Sequence, residues 1–211
     1  MMKRRDWLIG AVAGAVLAAG GITAAVASTD GSSGSSGVAG APSSTSADAG
    51  FARDMAVHHQ QAVEMSYVIR DRTKNAEIRR LAYDIAQTQA NQRGMMLGWL
   101  DLWELPKVPP GEPMEWMDMT DVPSAGDGSL MPGMATNAQM KRLGELNGKQ
   151  AEIFYLKLMT AHHKGGIHMA QGCVERCDVA VERRLAQGMV ESQESEVKLM
   201  ADLLKARGAK P

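Results

Sequence analysis

The chain has 211 residues, of which 45% are hydrophobic and only 4% aromatic, with 16 methionines and a formal net charge of −1. That length holds one compact domain with a real core plus tails, and apolar filling so poor in aromatics favours helices over sheets. A near-neutral chain without a basic patch is not built to hold nucleic acid.

The N-terminus opens on Lys3-Arg4-Arg5, and no charge occurs from Trp7 to Ala27. Residues 1–27 read as a signal peptide cleaved after Ala25-Val26-Ala27 or, uncleaved, as a membrane anchor; either way the body works outside the cytoplasm, periplasmic or extracellular. Residues 28–47 are a flexible Ser/Gly-rich leader.

Residues 48–207 read as a four-helix domain. A first repeat (51–104) is followed by a Met- and Pro-rich linker (105–135) and a second repeat (136–208). In the first repeat, Phe51, Met55, His58, Ala62, Met65 and Ile69 recur at helical spacing, Thr73-Lys74-Asn75 breaks the pattern, and a second stripe runs from Ile78 through Leu81, Ile85, Gln89 and Met96. In the second repeat, Thr136 and Gln139 form a capping-box signature, and a stripe holds Tyr155, Met159, His162, Met169 and Cys173. Asp178 stands where it can cap the last helix, and Gly208 closes that helix. Cys173 and Cys177, four apart, leave three readings open: a disulfide, free thiols, or a soft metal ligand. The fold class is all-α, a ferritin-like up-down four-helix bundle built from two repeated helical hairpins.

Residues 51–107 align with 155–211 at a constant offset of 104 without a gap. The identities include Met55/Met159, His58/His162, His59/His163, Met65/Met169 and Gln89/Gln193. With a two-fold axis along the bundle, the first helices of both hairpins run the same way. His58 then faces His162, level with Gln89 and Gln193, while Met55 and Met159 lie level with Gln92 and Glu196. His59 and His163, about 100° round their helices, fall at the flank, reaching either the inter-helix groove or the surface. A polar slab buried between apolar layers must be satisfied, by a bound ion or by hydrogen bonds among its members.

Imidazoles accompanied by thioethers suit Cu(I), and no hard cation wants sulfur. The candidate ligands are therefore Met55, His58, His59, Met65, Met159, His162, His163 and Met169, with Gln89 and Gln193 holding the imidazoles from behind. His168 and the linker residues Met114, Met117, Met119, Met131 and Met134 are further candidates, and Trp116 among them could stack on a cation. No paired Glu-x-x-His set, Ser-His-Asp set or phosphate loop is present, so binding rather than catalysis is expected.

The runs Phe51-Ala-Arg-Asp-Met55-Ala-Val-His58-His59-Gln-Gln-Ala62-Val-Glu-Met65 and Met159-Thr-Ala-His162-His163-Lys-Gly-Gly-Ile-His-Met169 resemble the domain-of-unknown-function family 305, over roughly residues 48–207. The resemblance implies a small exported bacterial protein of ferritin-like helical shape. It also implies copper binding in copper tolerance, as for some members, with the Met and His residues of the two motifs as ligands. Gly165-Gly166 departs from Gln61-Ala62 of the first copy. The function expected is extracytoplasmic Cu(I) binding or buffering, with other copper-handling proteins as partners and membrane contact only through an uncleaved N-terminus. The alternative is a metal-free structural or partner-binding bundle at the cell envelope.

Overall fold

The computed structural model describes residues 40–119 and 125–211. The expected signal or anchor segment, most of the leader and linker residues 120–124 lie outside the described residues.

Four long helices form the body. α1 (Ala47–Arg72) starts where the Ser46 hydroxyl accepts the Ala49 N–H, and α2 (Ala76–Leu102) where the Asn75 side chain accepts the N–H groups of Glu77 and Ile78. The hairpin turns at the predicted polar break. The Thr136–Gln139 capping box is formed, but it opens only a short α3 (Asn137–Glu145). The chain then turns through Leu146 and Asn147 before the long α4 (Gly148–Arg176) begins, so the second hairpin starts later than its cap suggests. α5 (Ala180–Ala206) completes the hairpin, with Gly208 at positive φ just beyond it. Two 3-10 turns, Glu115–Met117 and Ala125–Asp127, lie in the linker, and no strand occurs among the described residues.

α1 packs on α2 and α4, and α4 on α5. The bundle of two repeated hairpins is the one expected, but the hairpins run in opposite senses. Val179 N–H donates to Asp48 Oδ1 at 2.7 Å, Ser66 and Tyr155 share a hydroxyl contact at 3.2 Å, and Thr73 Oγ1 donates to Glu152 Oε1 at 2.5 Å. As numbers rise along α1 they fall along α4. The two-fold relating the copies therefore crosses the bundle near the histidines instead of running along it. Both axes put His58 level with His162, which is why helical spacing alone does not separate them.

This direction explains the long linker. α2 ends at the Asp48 end of the bundle, where Arg53 Nε donates to Pro106 O at 2.6 Å. α4 begins at the opposite end, beside Thr73. A helix of 26 residues, the length of α1, spans about 39 Å, too far for a two- to eight-residue turn.

The core falls into two apolar clusters. One gathers Phe51, Met55, Met96, Leu100, Met114, Met131 and Met169; the other Met65, Ile69, Ile78, Ile85, Tyr155 and Met159. Cys173 and Cys177 are disulfide-bonded across the end of α4, with Cα atoms 4.9 Å apart, which settles the open reading of that pair. Asp178 does not cap α5. It is exposed, and the carboxylate that receives the Val179 N–H is Asp48 of α1. Among the described residues, no helix is long and apolar enough to cross a membrane.

Candidate metal centre

Four histidines meet inside the bundle with no solvent exposure: His58 and His59 from α1, His162 and His163 from α4. The two rings nearest the two-fold, His58 and His162, lie 3.8 Å apart between centroids and are tilted by 33°. Of the two places a flanking position allows, the inter-helix groove or the surface, His59 and His163 take the groove. Each is enclosed where the two helices of its own hairpin meet.

Every ring is tethered through Nε2. His59 Nε2 donates to Gln92 Oε1 at 2.9 Å and His163 Nε2 to Glu196 Oε2 at 2.7 Å, a pair of bonds related by the same offset of 104. His162 Nε2 donates to the His58 carbonyl at 3.1 Å. The symmetric bond from His58 is absent, because its Nε2 donates at 3.3 Å to the carbonyl of Pro132, which the linker lays over this face. Carbonyl and carboxylate acceptors fix the proton on Nε2 and leave Nδ1 with a free lone pair. All four Nδ1 atoms are buried without a hydrogen-bond partner.

For His58, His59 and His162, burial favours the neutral ring. Desolvation first, then the nearby charge of His59, lowers His58 to about 3; desolvation lowers His59 to about 4; and His162 is lowered by the same cause followed by His58. Neutral imidazole is the form that binds metal.

Gln89 and Gln193 do not hold the imidazoles. Both are buried with Oε1 unpartnered, and a Cβ on Gly166 would stand 2.6 Å from Gln193 Oε1, so this glutamine fills the space the glycine leaves. The imidazole holders are Gln92 and Glu196, one turn further on. Their common separation of 33 residues from His59 and His163 was a usable signal, whereas nothing in the sequence marks the Pro132 carbonyl.

The motif methionines are all buried, but on two sides of the histidine layer. Met55 and Met169 share one apolar cluster with Met114, Met117 and Met131; Met65 and Met159 share the other. Met119 and Met134 are partly buried against the first cluster, and His168 is exposed beside Met117 and Met119 in a surface cleft. Trp116 lies against α1. Its ring meets Phe51 edge-on at 5.8 Å, and its Nε1 donates to Asp54 Oδ2 at 2.9 Å.

The linker is docked across the site. Gln61 clasps Ala135 in both directions, donating to its carbonyl at 2.8 Å and accepting its N–H at 2.7 Å. Gly165 occupies the Gln61 position in the second copy, and a Cβ there would sit 1.9 Å from Pro132 O. The two departures thus serve one purpose: one residue grips the segment and the other makes room for it.

No three histidine nitrogens fall within 4.8 Å of one another. Among the described residues the one such group of His, Cys, Asp or Glu atoms is Asp48, Cys177 and Glu182, at the end of the bundle. The histidine layer therefore offers buried imidazole nitrogens, with sulfur in the apolar clusters to either side.

No curated protein matches the chain. Among solved structures it is similar to a candidate secreted DUF305 protein from Streptomyces coelicolor, at 71% identity and a TM-score of 0.74, covering 80% of this chain and 98% of that one. A DUF305 fragment from Deinococcus radiodurans matches at 29% identity and a TM-score of 0.64, over 79% of this chain and 98% of that one. CopM in its Cu(I)-bound form shares the fold at 19% identity and a TM-score of 0.55, over 75% of this chain and 96% of that one. The family DUF305, a domain of unknown function, matches residues 48–204, nearly all of the doubled hairpin, and the chain belongs to that family.

Proposed function

We propose that the chain is an exported protein that binds and buffers Cu(I) in its buried histidine layer. The observation that carries this reading is the set of four enclosed Nδ1 atoms, each on a ring whose Nε2 is already tethered. A buried lone pair without a donor costs about 1–3 kcal/mol, and the layer holds four. Cations bound at these nitrogens would relieve that cost and leave the Nε2 tethers in place. His58, His59, His162 and His163 would supply nitrogen, and Met55, Met65, Met159 and Met169 thioether sulfur, with the linker residues Met114, Met117 and Met131 beside Met55 and Met169. Soft donors in a dry site favour the cuprous ion. CopM, of the same fold, is known in Cu(I)-, Cu(II)- and Ag-bound forms, which supports the assignment, and the secreted character of the Streptomyces coelicolor relative supports export. The role is binding, not catalysis, and delivery would be to other copper-handling proteins.

The test is competition for Cu(I) against a chromophoric chelator, in ascorbate so that the disulfide stays closed. The unaltered chain is compared with His58→Ala/His162→Ala. Tight binding lost in the double variant is expected; equal affinity in both would sink the proposal. A metal-free layer predicts instead that Cu(I) leaves the melting temperature of the unaltered chain unchanged, whereas a ligand taken only by the folded form raises it.

A further inference from the structure

At the end of the bundle where α1 begins and α4 stops, one oxygen of Asp48, one of Glu182 and Sγ of Cys177 lie within 4.8 Å of one another. All three residues are buried, with exposures of 2%, 0% and 2%. Asp48 has the Val179 N–H, but neither oxygen of Glu182 has a hydrogen-bond donor. Desolvation, reinforced by Asp48, pushes the Glu182 carboxyl up to about 9, so at neutral pH it keeps a proton it can lend to Asp48.

The duplication shows how the same fold treats such a group at its other end. At the offset of 104, Asp48, Cys177 and Glu182 correspond to Glu152, Thr73 and Ile78. There Glu152 is satisfied: Thr73 Oγ1 donates at 2.5 Å and Arg207 Nε at 2.7 Å. The counterpart of Arg207 is Trp103, which packs in the apolar cluster. Arg183, beside Glu182 in sequence, donates to the carbonyls of Cys177 and Asp178. Among the described residues no salt bridge reaches Asp48 or Glu182. Relative to the satisfied end, sulfur replaces a hydroxyl, a second carboxyl replaces an apolar side chain, and the cation is missing.

We propose that reduction of the Cys173–Cys177 disulfide turns this cluster into a site for a borderline divalent cation of the Zn2+ class, held by Cys177, Asp48 and Glu182. While the disulfide is closed, its sulfur carries no negative charge and is a poor ligand. A dithiol reductant transfers two electrons and two protons, becoming a disulfide itself; the S–S bond breaks and Cys173 and Cys177 become thiols. The cation then displaces the protons of the Cys177 thiol and the Glu182 carboxyl to solvent. It accepts a lone pair from thiolate and from both carboxylates, the sulfur and oxygen donors zinc takes in proteins. The ion fills the role Arg207 has at the other end.

The test uses Co2+ as probe, because a thiolate ligand adds a near-ultraviolet charge-transfer band that imidazole and thioether do not. Cys173→Ser leaves Cys177 free without any reductant, and Cys177→Ser removes the proposed ligand. Both lose the disulfide, so a difference between them is not a consequence of losing that bond. The band is expected at one equivalent in Cys173→Ser and in the dithiol-reduced unaltered chain, and in neither the oxidised chain nor Cys177→Ser. Adding Glu182→Gln to Cys173→Ser should weaken Co2+ by more than the roughly tenfold that even an outer hydrogen-bond partner is worth. The proposal is overturned by absence of the band from Cys173→Ser and the reduced chain, by an equal band in Cys177→Ser, or by unchanged affinity with Glu182→Gln. None of these results depends on whether the histidine layer takes copper.

Discussion

Two kinds of buried titratable side chain in this molecule pull stability in opposite directions with pH. The imidazoles of His58 and His59 have folded values of about 3 and about 4, below their ordinary 6.5. Protons therefore bind the unfolded chain more readily, and the ion-free protein loses stability as pH falls from 6.5 toward those folded values. Glu182 runs the other way. Its folded value of about 9 lies above the ordinary 4.5, so its contribution is fully present below 4.5 and is lost as pH rises toward 9. Thermal melts of the oxidised chain should accordingly show Glu182→Gln melting higher than the unaltered protein at pH 8 and nearly level with it at pH 4. A lower melting temperature for the variant at pH 8 would contradict the burial argument. The histidines were legible in the sequence because a doubled pair at helical spacing is a strong pattern. The protonation of Glu182 was not, since it depends first on burial and then on Asp48, which lies 134 positions away along the chain.

At the level of elements, the hairpins were legible and their supports were not. The break at Thr73-Lys74-Asn75 and the stripe positions follow from helical period alone, and the helices keep to them. The polar partners that order the linker come from elsewhere in the chain: Gln61 and Gly165 act on a segment more than 25 residues from either. Gly165→Ala would drive a methyl into the Pro132 carbonyl, and overpacking of this kind costs about 1–3 kcal/mol. A lowered urea midpoint would record it. Gln61→Ala removes both bonds to Ala135, so the Ala135 amide should exchange with solvent markedly faster while amides in the middle of α2 keep their protection. Uniform loss of protection would mean that the segment and the bundle open together.

For the whole molecule, the direction in which one hairpin lies on the other was the main thing the stripes withheld. A stripe centred on a histidine reads the same for parallel and antiparallel neighbours, and only the length of the linker hinted at a crossing. The two ends of the bundle then diverge in chemistry although their backbones correspond. The Thr73 end depends on the Glu152–Arg207 ion pair, whose side chains are only 9% and 7% exposed. Arg207→Ala strands a buried carboxylate and should cost about 3–5 kcal/mol in urea unfolding. A loss below 1 kcal/mol would show that water reaches Glu152. The strap formed by residues 131–135 has a kinetic consequence. Three hydrogen bonds secure it over the imidazoles, two to Gln61 and one to His58, so an ion held as proposed would enter or leave by an excursion of that strap rather than by separation of the four long helices. Capture and release rates of an ion bound there would then both follow how often the strap lifts, so exchange could be tuned through the grip of Gln61 without altering a ligand or the affinity.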